Sequence, residues 1–467
     1  MNIKFGTDGW RGITDQDFNE ENIKLATQAI AQYFIDNDKK SIVIGYDGRR
    51  KADVFAKIVA EVMAGNNIKA YLSDKPCPSP ATGYAVIDKG ADGAIMLTAS
   101  HNPPEFLGLK YITEKVTVAP AKVTNQFIKN LESLKPEDVK IGDQIEVFDP
   151  KPAYLAKLKS LVDIEKIKKS NLKVLLNPMN GVGAGYLKEL LSGGNIQTEE
   201  INGEIKADFG GKSPEPIVEK NVADAIEKMK SGDFDVCLSS DGDADRIGLI
   251  DEKGKMISSL EESLLLVYYL VVVKGKRGPI VETLSNTVMI ENLCKKYDLD
   301  FYEVKVGFKY VGEKMLETGA IWGGEESGGS AIKEFIPYRD AQLMNLLILD
   351  LMGEVNKPIS QISEMAKQES GGGYEFKRED VHFEYDKYDE IKNVKAAELT
   401  KNPPKEVLGR KVARTRDDDG LKIYFEDGSW LLIRFSGTEP ILRLYSEAKT
   451  MTEVDKFINY AKEYFGK

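Results

Sequence analysis

One order of elements occurs three times along the chain, and that repetition limits its fold more than any single residue does. Three segments run from apolar strand through polar loop to helix: "SIVIGYDGRRKADVFAKIVAEVM", "LKVLLNPMNGVGAGYLKELL" and "GPIVETLSNTVMIENLCKK". Each is followed by another helix and another apolar strand, and those later strands end in the polar loops "TASHNPP", "SSDGDADR" and "GGEESGG". Strands alternating with helices at this spacing predict parallel α/β units. In open α/β sheets, ligands bind at the loops leaving the carboxyl ends of the strands. Three like units therefore each offer one loop to a shared cleft.

At 467 residues the chain exceeds one compact core, so three or four domains are expected. The first, 1–147, ends in the charged stretch "KPEDVKIGDQIEVFDPKP"; the second, 148–253, ends after "IGLIDE"; the third, 254–370, ends near the glycine run "ESGGGYEF". The remainder, 371–467, differs in character. "LKIYFEDGSWLLIRFSGTEPILRLYSEA" holds strand runs joined by Asp-Gly and Gly-Thr turns, then an amphipathic helix in "TEVDKFINYAKEYF". The fold expected is α/β: three related mixed α/β domains around a shared cleft, plus a smaller C-terminal α+β domain with an antiparallel sheet.

A formal charge of -11 and a pI near 5.2 argue against nucleic acid as a partner. An anionic ligand would have to be met by a local cluster of Arg and Lys. The most apolar run, "SLLLVYYLVVV" (Ser263 to Val273), is too short to span a bilayer and reads as a buried helix or strand. The start, "MNIKFGTDGWRG", has no apolar core of a signal peptide. Cys77, Cys237 and Cys294 match no disulfide or metal spacing. A reduced cytoplasmic setting with no membrane partner is expected; monomer and homodimer both remain open.

The acidic loop "DGDADR" places Asp241, Asp243 and Asp245 at alternate positions after an apolar strand. Three carboxylates so close repel one another unless a cation sits among them, and oxygen ligands suit a hard ion such as Mg²⁺. An EF-hand also alternates acids, and Glu252 falls at its twelfth position, but Arg246 stands where that loop needs glycine. An exposed acidic turn is the plain alternative. In "TASHNPP", Ser100 lacks the surroundings of a hydrolase serine: no G-x-S-x-G is present, and the only histidine besides His101 is His382, in the last unit. A serine near a Mg²⁺ site can instead carry a phosphoryl group, and Pro103 and Pro104 would hold its loop rigid; a strand-ending turn is the rival reading. "GGEESGG" places Glu325, Glu326 and Ser327 between glycine pairs that allow close backbone approach, and carboxylates accept hydrogen bonds well from vicinal hydroxyls, so a polyol ligand fits. "RFSGTEP" offers Arg434, Ser436, Gly437 and Thr438, with Arg443 nearby, as a phosphate seat. Either stretch alone could be an ordinary turn. Arg11 of "GTDGWRG" and Lys110 supply further local cations.

Taken in order, "FGTDGWRG", "TASHNPP", "DGDADR", "GGEESGG" and "RFSGTEP" resemble the α-D-phosphohexomutase family of phosphoglucomutases and phosphomannomutases, along the whole chain. The resemblance implies four domains, a phosphoserine at Ser100, and Mg²⁺ held by Asp241, Asp243, Asp245 and the serine phosphate. It places Arg11, His101 and Lys110 around the transferring group, with Lys110 as general acid and base, its pKa lowered by Arg11 and Arg246. Arg246, Gly307, Phe308, Lys309, Glu325 and Ser327 would face the sugar, and Arg434, Ser436, Gly437, Thr438 and Arg443 the distal phosphate. Leu107 departs from the family's pattern, standing where an asparagine is frequent. The implied reaction interconverts glucose 1-phosphate and glucose 6-phosphate through glucose 1,6-bisphosphate, which turns end for end as the last domain moves. The Glu-Glu-Ser triplet resembles phosphoglucomutases; a mannose-preferring or dual-specificity mutase is the near rival. A Mg²⁺-dependent phosphatase and a silent sugar-phosphate binder are the readings from other classes.

Overall fold

The computed structural model describes residues 3–6, 9–436 and 440–466, which build four sheets in succession along the chain. The first has six strands in the order Trp10–Ile13, Phe106–Thr113, Gly93–Leu97, Ser41–Tyr46, Lys69–Ser73, Ile145–Phe148. The second runs Met256–Ile257, Ile247–Asp251, Val236–Ser240, Lys173–Asn177, Gln197–Glu200. The third runs Phe301–Val304, Ile280–Thr283, Trp322–Gly324, Ser330–Ile332.

Four strands recur identically in all three. The opening strand of each repeat lies parallel to the next strand on one side and to the loop-bearing strand on the other. The strand after the loop then returns antiparallel. That return strand makes each sheet mixed, as expected of mixed α/β domains. The loops span residues 98–105, 241–246 and 325–329, too short for the dozen or so residues a parallel crossover needs. All three loops thus lie at the carboxyl ends of equivalent strands.

Central strands such as Ser41–Tyr46 are continuous apolar runs because both faces are covered. Ile42 and Ile44 pack with Phe34, Phe55 and Val59 on one face, while Val43 packs with Met96 and Ile112 on the other. The run beginning at Ser263 is a buried helix: Ser259–Tyr268 is capped by Ser258 and continues helically through Val273. Apolar on all sides, it joins a core that includes Leu176 and Leu238 of the second unit and Ile280 and Trp322 of the third. Tyr154 adds a polar tie between these units, its hydroxyl 2.8 Å from both carboxylate oxygens of Asp340, the N-cap of the helix Ala341–Val355. Among the described residues, no helix is long and apolar enough to cross a membrane.

The fourth sheet is wholly antiparallel, in the order Glu375–His382, Ile441–Ala448, Trp430–Phe435, Leu421–Phe425, Arg410–Arg416, Glu406–Val407. The helix Met451–Tyr464 packs Val454, Phe457, Ile458 and Ala461 on it, with Phe457 stacked on Phe425 at 4.6 Å between centroids. These apolar positions recur every three to four residues, as a helix laid on a sheet requires. The edge strand Glu375–His382 was not anticipated, because "EFKREDVH" is dominated by charge. Its Arg378 and Asp380 line the cleft instead of a core.

Candidate active site

The serine loop is held by two residues from the first repeat. Strand Ser41–Tyr46 ends at Asp47, whose Oδ2 accepts hydrogen bonds from Thr98 Oγ1 at 2.5 Å and Arg49 Nε at 3.1 Å. Arg49 then donates to four backbone carbonyls of the loop: Ser100 and Asn102 at 2.7 Å, Pro103 at 2.8 Å and Phe106 at 2.9 Å. A guanidinium is the side chain with enough donors in a fixed plane for this task. Both residues are buried, and the ring of Phe209 lies 4.7 Å from the guanidinium. Burial pushes the Asp47 carboxyl up to about 6 against the pull of Arg49. Ser100 itself is left-handed, with φ +53°, a backbone state that costs a non-glycine residue and persists where its surroundings enforce it.

The acidic loop meets it face to face. Asp241, Asp243 and Asp245 are buried, and one carboxylate oxygen from each lies within 4.8 Å of the others. Asp241 Oδ2 accepts from Ser100 Oγ at 2.8 Å, and its Oδ1 accepts from the backbone N–H groups of Asp245 and Arg246. Burial, then the neighbouring Asp243 and Asp245, push the Asp241 carboxyl well above its usual range. Burial opposes ionisation of Asp243 too, but the Lys110 ammonium and the Ser79 hydroxyl overcome it and hold that carboxyl well below the usual range. Asp243 Oδ1 and Asp245 Oδ1 are buried without a hydrogen-bond partner. Buried, oxygen-only and short of donors, this cluster fits a hard divalent cation. Glu252 accepts hydrogen bonds from Ser360 instead, away from the cluster, so no EF-hand geometry forms. Gly242 is required by the close approach of the two loops: a Cβ there would stand 2.7 Å from the Ser100 carbonyl oxygen.

Lys110 lies on the strand Phe106–Thr113, buried, with Nζ 2.8 Å from Asp243 Oδ2 and 3.3 Å from Asp245 Oδ2. Cations were expected beside this ammonium; two carboxylates of the acidic loop stand against it. Leu107 points with Leu109 and Tyr111 into the core of the first unit, on the strand face opposite Lys110. Its departure from the family's pattern therefore leaves the lysine's direction unchanged. His101 Nδ1 is 3.4 Å from Ser100 Oγ, and burial, reinforced by Arg246, Arg11 and Lys110, holds the imidazole well below its ordinary pKa and so neutral. Arg11 Nη1 donates to Asn102 Oδ1 at 2.8 Å from the neighbouring strand.

The loops open on one cleft of about 1230 Å³, lined by residues of all four units. Arg11, His101, Arg246, Gly307, Phe308, Lys309, Glu325, Ser327, Arg434 and Arg443 all border it. Ser327 Oγ donates to Glu325 Oε1 at 2.6 Å, which also accepts from Arg339 Nη1 at 2.8 Å. Ser436 is buried at the end of the strand Trp430–Phe435; Gly437 and Thr438 lie outside the described residues. Six arginines, with Lys220 and Lys309, line the cleft, the local basic cluster that an acidic chain needs around an anion.

Three residues were missed by sequence reasoning. Asp47 and Arg49 stand in the quoted "GYDGRR", at the carboxyl end of a central strand, a position that marks functional residues in α/β sheets. Arg339 joins Asp245 Oδ2, at 2.8 and 3.1 Å, to Glu325, and so ties the acidic loop 241–246 to the loop 325–329. No local signal marks it.

Titration with Mn²⁺, followed by loss of the free ion's electron paramagnetic resonance signal, is expected to fill one tight site per chain. The double variant D243N/D245N should weaken it at least tenfold; unchanged affinity would place the cation elsewhere.

Comparison with known proteins agrees with this geometry. Models described as phosphoglucomutase/phosphomannomutase alpha/beta/alpha domains I, II and III match residues 2–137, 152–254 and 262–368, and the model of the C-terminal domain matches 391–460. A phosphoglucomutase/phosphomannomutase of Thermococcus kodakarensis is 30% identical, over 98% of this chain and 97% of that one. A phosphoglucosamine/phosphogalactosamine mutase of Sulfurisphaera tokodaii is 29% identical over 99% of each. The crystal structure of a putative phosphomannomutase from Thermus thermophilus, 27% identical, superposes with a TM-score of 0.87 over 99% of each chain. With four matched domains in order and a full-length relative at this identity, the chain belongs to the phosphoglucomutase/phosphomannomutase family and is a phosphohexomutase, an intramolecular phosphotransferase.

Proposed function

We propose that the chain interconverts glucose 1-phosphate and glucose 6-phosphate, with Ser100 carrying the phosphoryl group and glucose 1,6-bisphosphate as intermediate. The observation that carries the reading is the contact of buried Ser100 Oγ with Asp241, next to His101 and Arg246 of a cleft rich in arginine. The reading takes four units, 1–147, 148–253, 254–370 and 371–467. Asp241, Asp243 and Asp245 would hold Mg²⁺ together with the phosphate on Ser100. The ion, when bound, supplies positive charge to the phosphoryl oxygens during transfer.

The chain's own groups do the rest. Phospho-Ser100 gives its phosphoryl group to the free hydroxyl of the hexose phosphate: the sugar oxygen–phosphorus bond forms, the Oγ–phosphorus bond breaks, and the hydroxyl proton is passed on to Oγ. Lys110 is assigned to move that proton, while neutral His101 and Arg11 border the group in transit. Glu325 and Ser327 orient sugar hydroxyls, and Arg246, Gly307, Phe308 and Lys309 line the sugar's path. Arg434, Ser436, Gly437, Thr438 and Arg443 seat the distal phosphate. The intermediate then turns, and its other phosphate returns to Ser100. Because one seat must receive either end, the fourth unit shifts against the others during turnover; small-angle scattering with and without glucose 1,6-bisphosphate should differ, and identical profiles would refute the shift.

Glucose is favoured by the Glu-Glu-Ser triplet. In the structure Glu326 accepts hydrogen bonds from Ser285 at 2.5 Å and Thr283 at 3.3 Å, so it shapes the loop from beneath. The names of the relatives extend the trial to mannose 1-phosphate and glucosamine 1-phosphate.

The first test is a phosphorus NMR time course with Mg²⁺, glucose 1-phosphate and a trace of the 1,6-bisphosphate. Conversion to glucose 6-phosphate, abolished in S100A, is the expected result. Release of inorganic phosphate would make the protein a phosphatase, and turnover of the mannose or amino sugar alone would move the substrate. Two positioning variants follow. In G242A the new Cβ pushes the serine loop away, and in R49K four carbonyl bonds cannot all be kept; each should lower kcat about 100-fold with the circular dichroism spectrum intact. Wild-type rates in both would mean that the loop needs neither.

A further inference from the structure

Asp419 lies in the turn between the strands Arg410–Arg416 and Leu421–Phe425, and its carboxylate reaches two walls of the cleft. Oδ1 accepts from Arg434 Nε at 3.0 Å, and Oδ2 accepts from the backbone N–H of Val306 at 2.9 Å. Val306 sits in the link 305–307 of the third unit, which leads into the helix Phe308–Thr318 and so to Phe308 and Lys309, and both Val306 and Arg434 line the cleft. The turn is pressed on the arginine's own strand. Gly420 has φ +84°, and a Cβ there would stand 2.4 Å from the Ile433 carbonyl oxygen and 2.9 Å from Arg434 Cα. A carboxylate at Nε fixes the plane of a guanidinium and leaves the two Nη groups as the edge for bidentate capture of phosphate.

We infer that Asp419 is the positioning residue of the phosphate seat: it aims Arg434 and registers it against the third unit's sugar loop. The inference rests on the mutase reading. An asparagine in its place has one acceptor oxygen and cannot serve both donors as the carboxylate does.

The test compares D419N with D418N, whose parent residue lies in the same turn but pairs with Arg416. In steady-state assays with glucose 1-phosphate, D419N should raise KM roughly 10- to 100-fold and change kcat less than about tenfold; D418N should match wild type. Since Asp419 acts through Arg434, the variant D419N/R434Q should be within about twofold of R434Q alone. An unchanged KM in D419N, an equal loss in D418N, or losses that multiply in the double variant would each overturn the inference while leaving the mutase reading in place. If wild type turns over no hexose phosphate, that reading fails, and calorimetric titration with inorganic phosphate decides the inference by itself. Weaker phosphate binding in D419N than in D418N supports it, and equal binding ends it. Should D419N fail to fold, D419E, which displaces the charge by one methylene, replaces it with the same expectations.

Discussion

Three carboxylates buried within 4.8 Å of one another are the constraint to which the rest of the cleft answers. Unpaired charge at that depth is too costly to persist. Each neighbouring unit therefore contributes a group that offsets it: Lys110, Ser79 and Ser100 from the first, the backbone N–H groups of Asp245 and Arg246 from the second, and Arg339 from the third. The loops converge because their charges require it. The same excess of carboxylate, with two oxygens still lacking donors, is what suits the floor to a divalent cation.

That convergence also explains how a serine in a strained backbone state is kept in place. Its loop makes no regular ladder, so its carbonyls need donors from elsewhere. Arg49 supplies them from the loop after a strand about fifty residues upstream, and Asp47 holds Arg49. Gly242 then allows the loop to rest directly on the acidic loop. The serine is thus placed by packing and hydrogen bonds from two repeats of the same unit, brought to one point by equivalent positions in two sheets.

Much of this was legible in the sequence because repetition and spacing are local properties. The three strand-loop-helix segments became the centres of three like sheets, and the alternate aspartates became one buried cluster. What escaped was non-local. Arg49 acts on carbonyls far along the chain, and Arg339 joins two loops separated by eighty residues or more; neither role leaves a periodic trace. The carboxylates beside Lys110 were missed because the acid-base role given to the lysine called for cations nearby, Arg11 and Arg246, while folding set Asp243 and Asp245 against it. The edge strand Glu375–His382 was hidden by its charges: Arg378 and Asp380 line the cleft, Lys377 and Glu379 pair with Asp455 and Lys462 of the last helix, and neither face shows the apolar alternation that marks a strand.

The boundaries between units differ in kind, and the difference bears on motion. The second and third share one apolar core, so separating them would expose buried hydrocarbon. Among the described residues, the third and fourth meet over a small apolar patch, Leu284, Val288 and Val306 against Tyr424, Trp430, Leu432 and Tyr445, and through polar contacts to carboxylates, the ion pair of Glu291 with Arg414 among them. Glu303 accepts from Lys422 at 2.6 Å and from Tyr424, Glu447 accepts from Thr287 and Val288, and Asp419 accepts from Val306. A hydrogen bond lost to water costs little net free energy, whereas apolar area must be exposed in full. The polar seam is therefore where a shift of the fourth unit is least costly. On the proposed reading, the seat for either phosphate of the intermediate lies beyond that seam, on the side that carries Arg434.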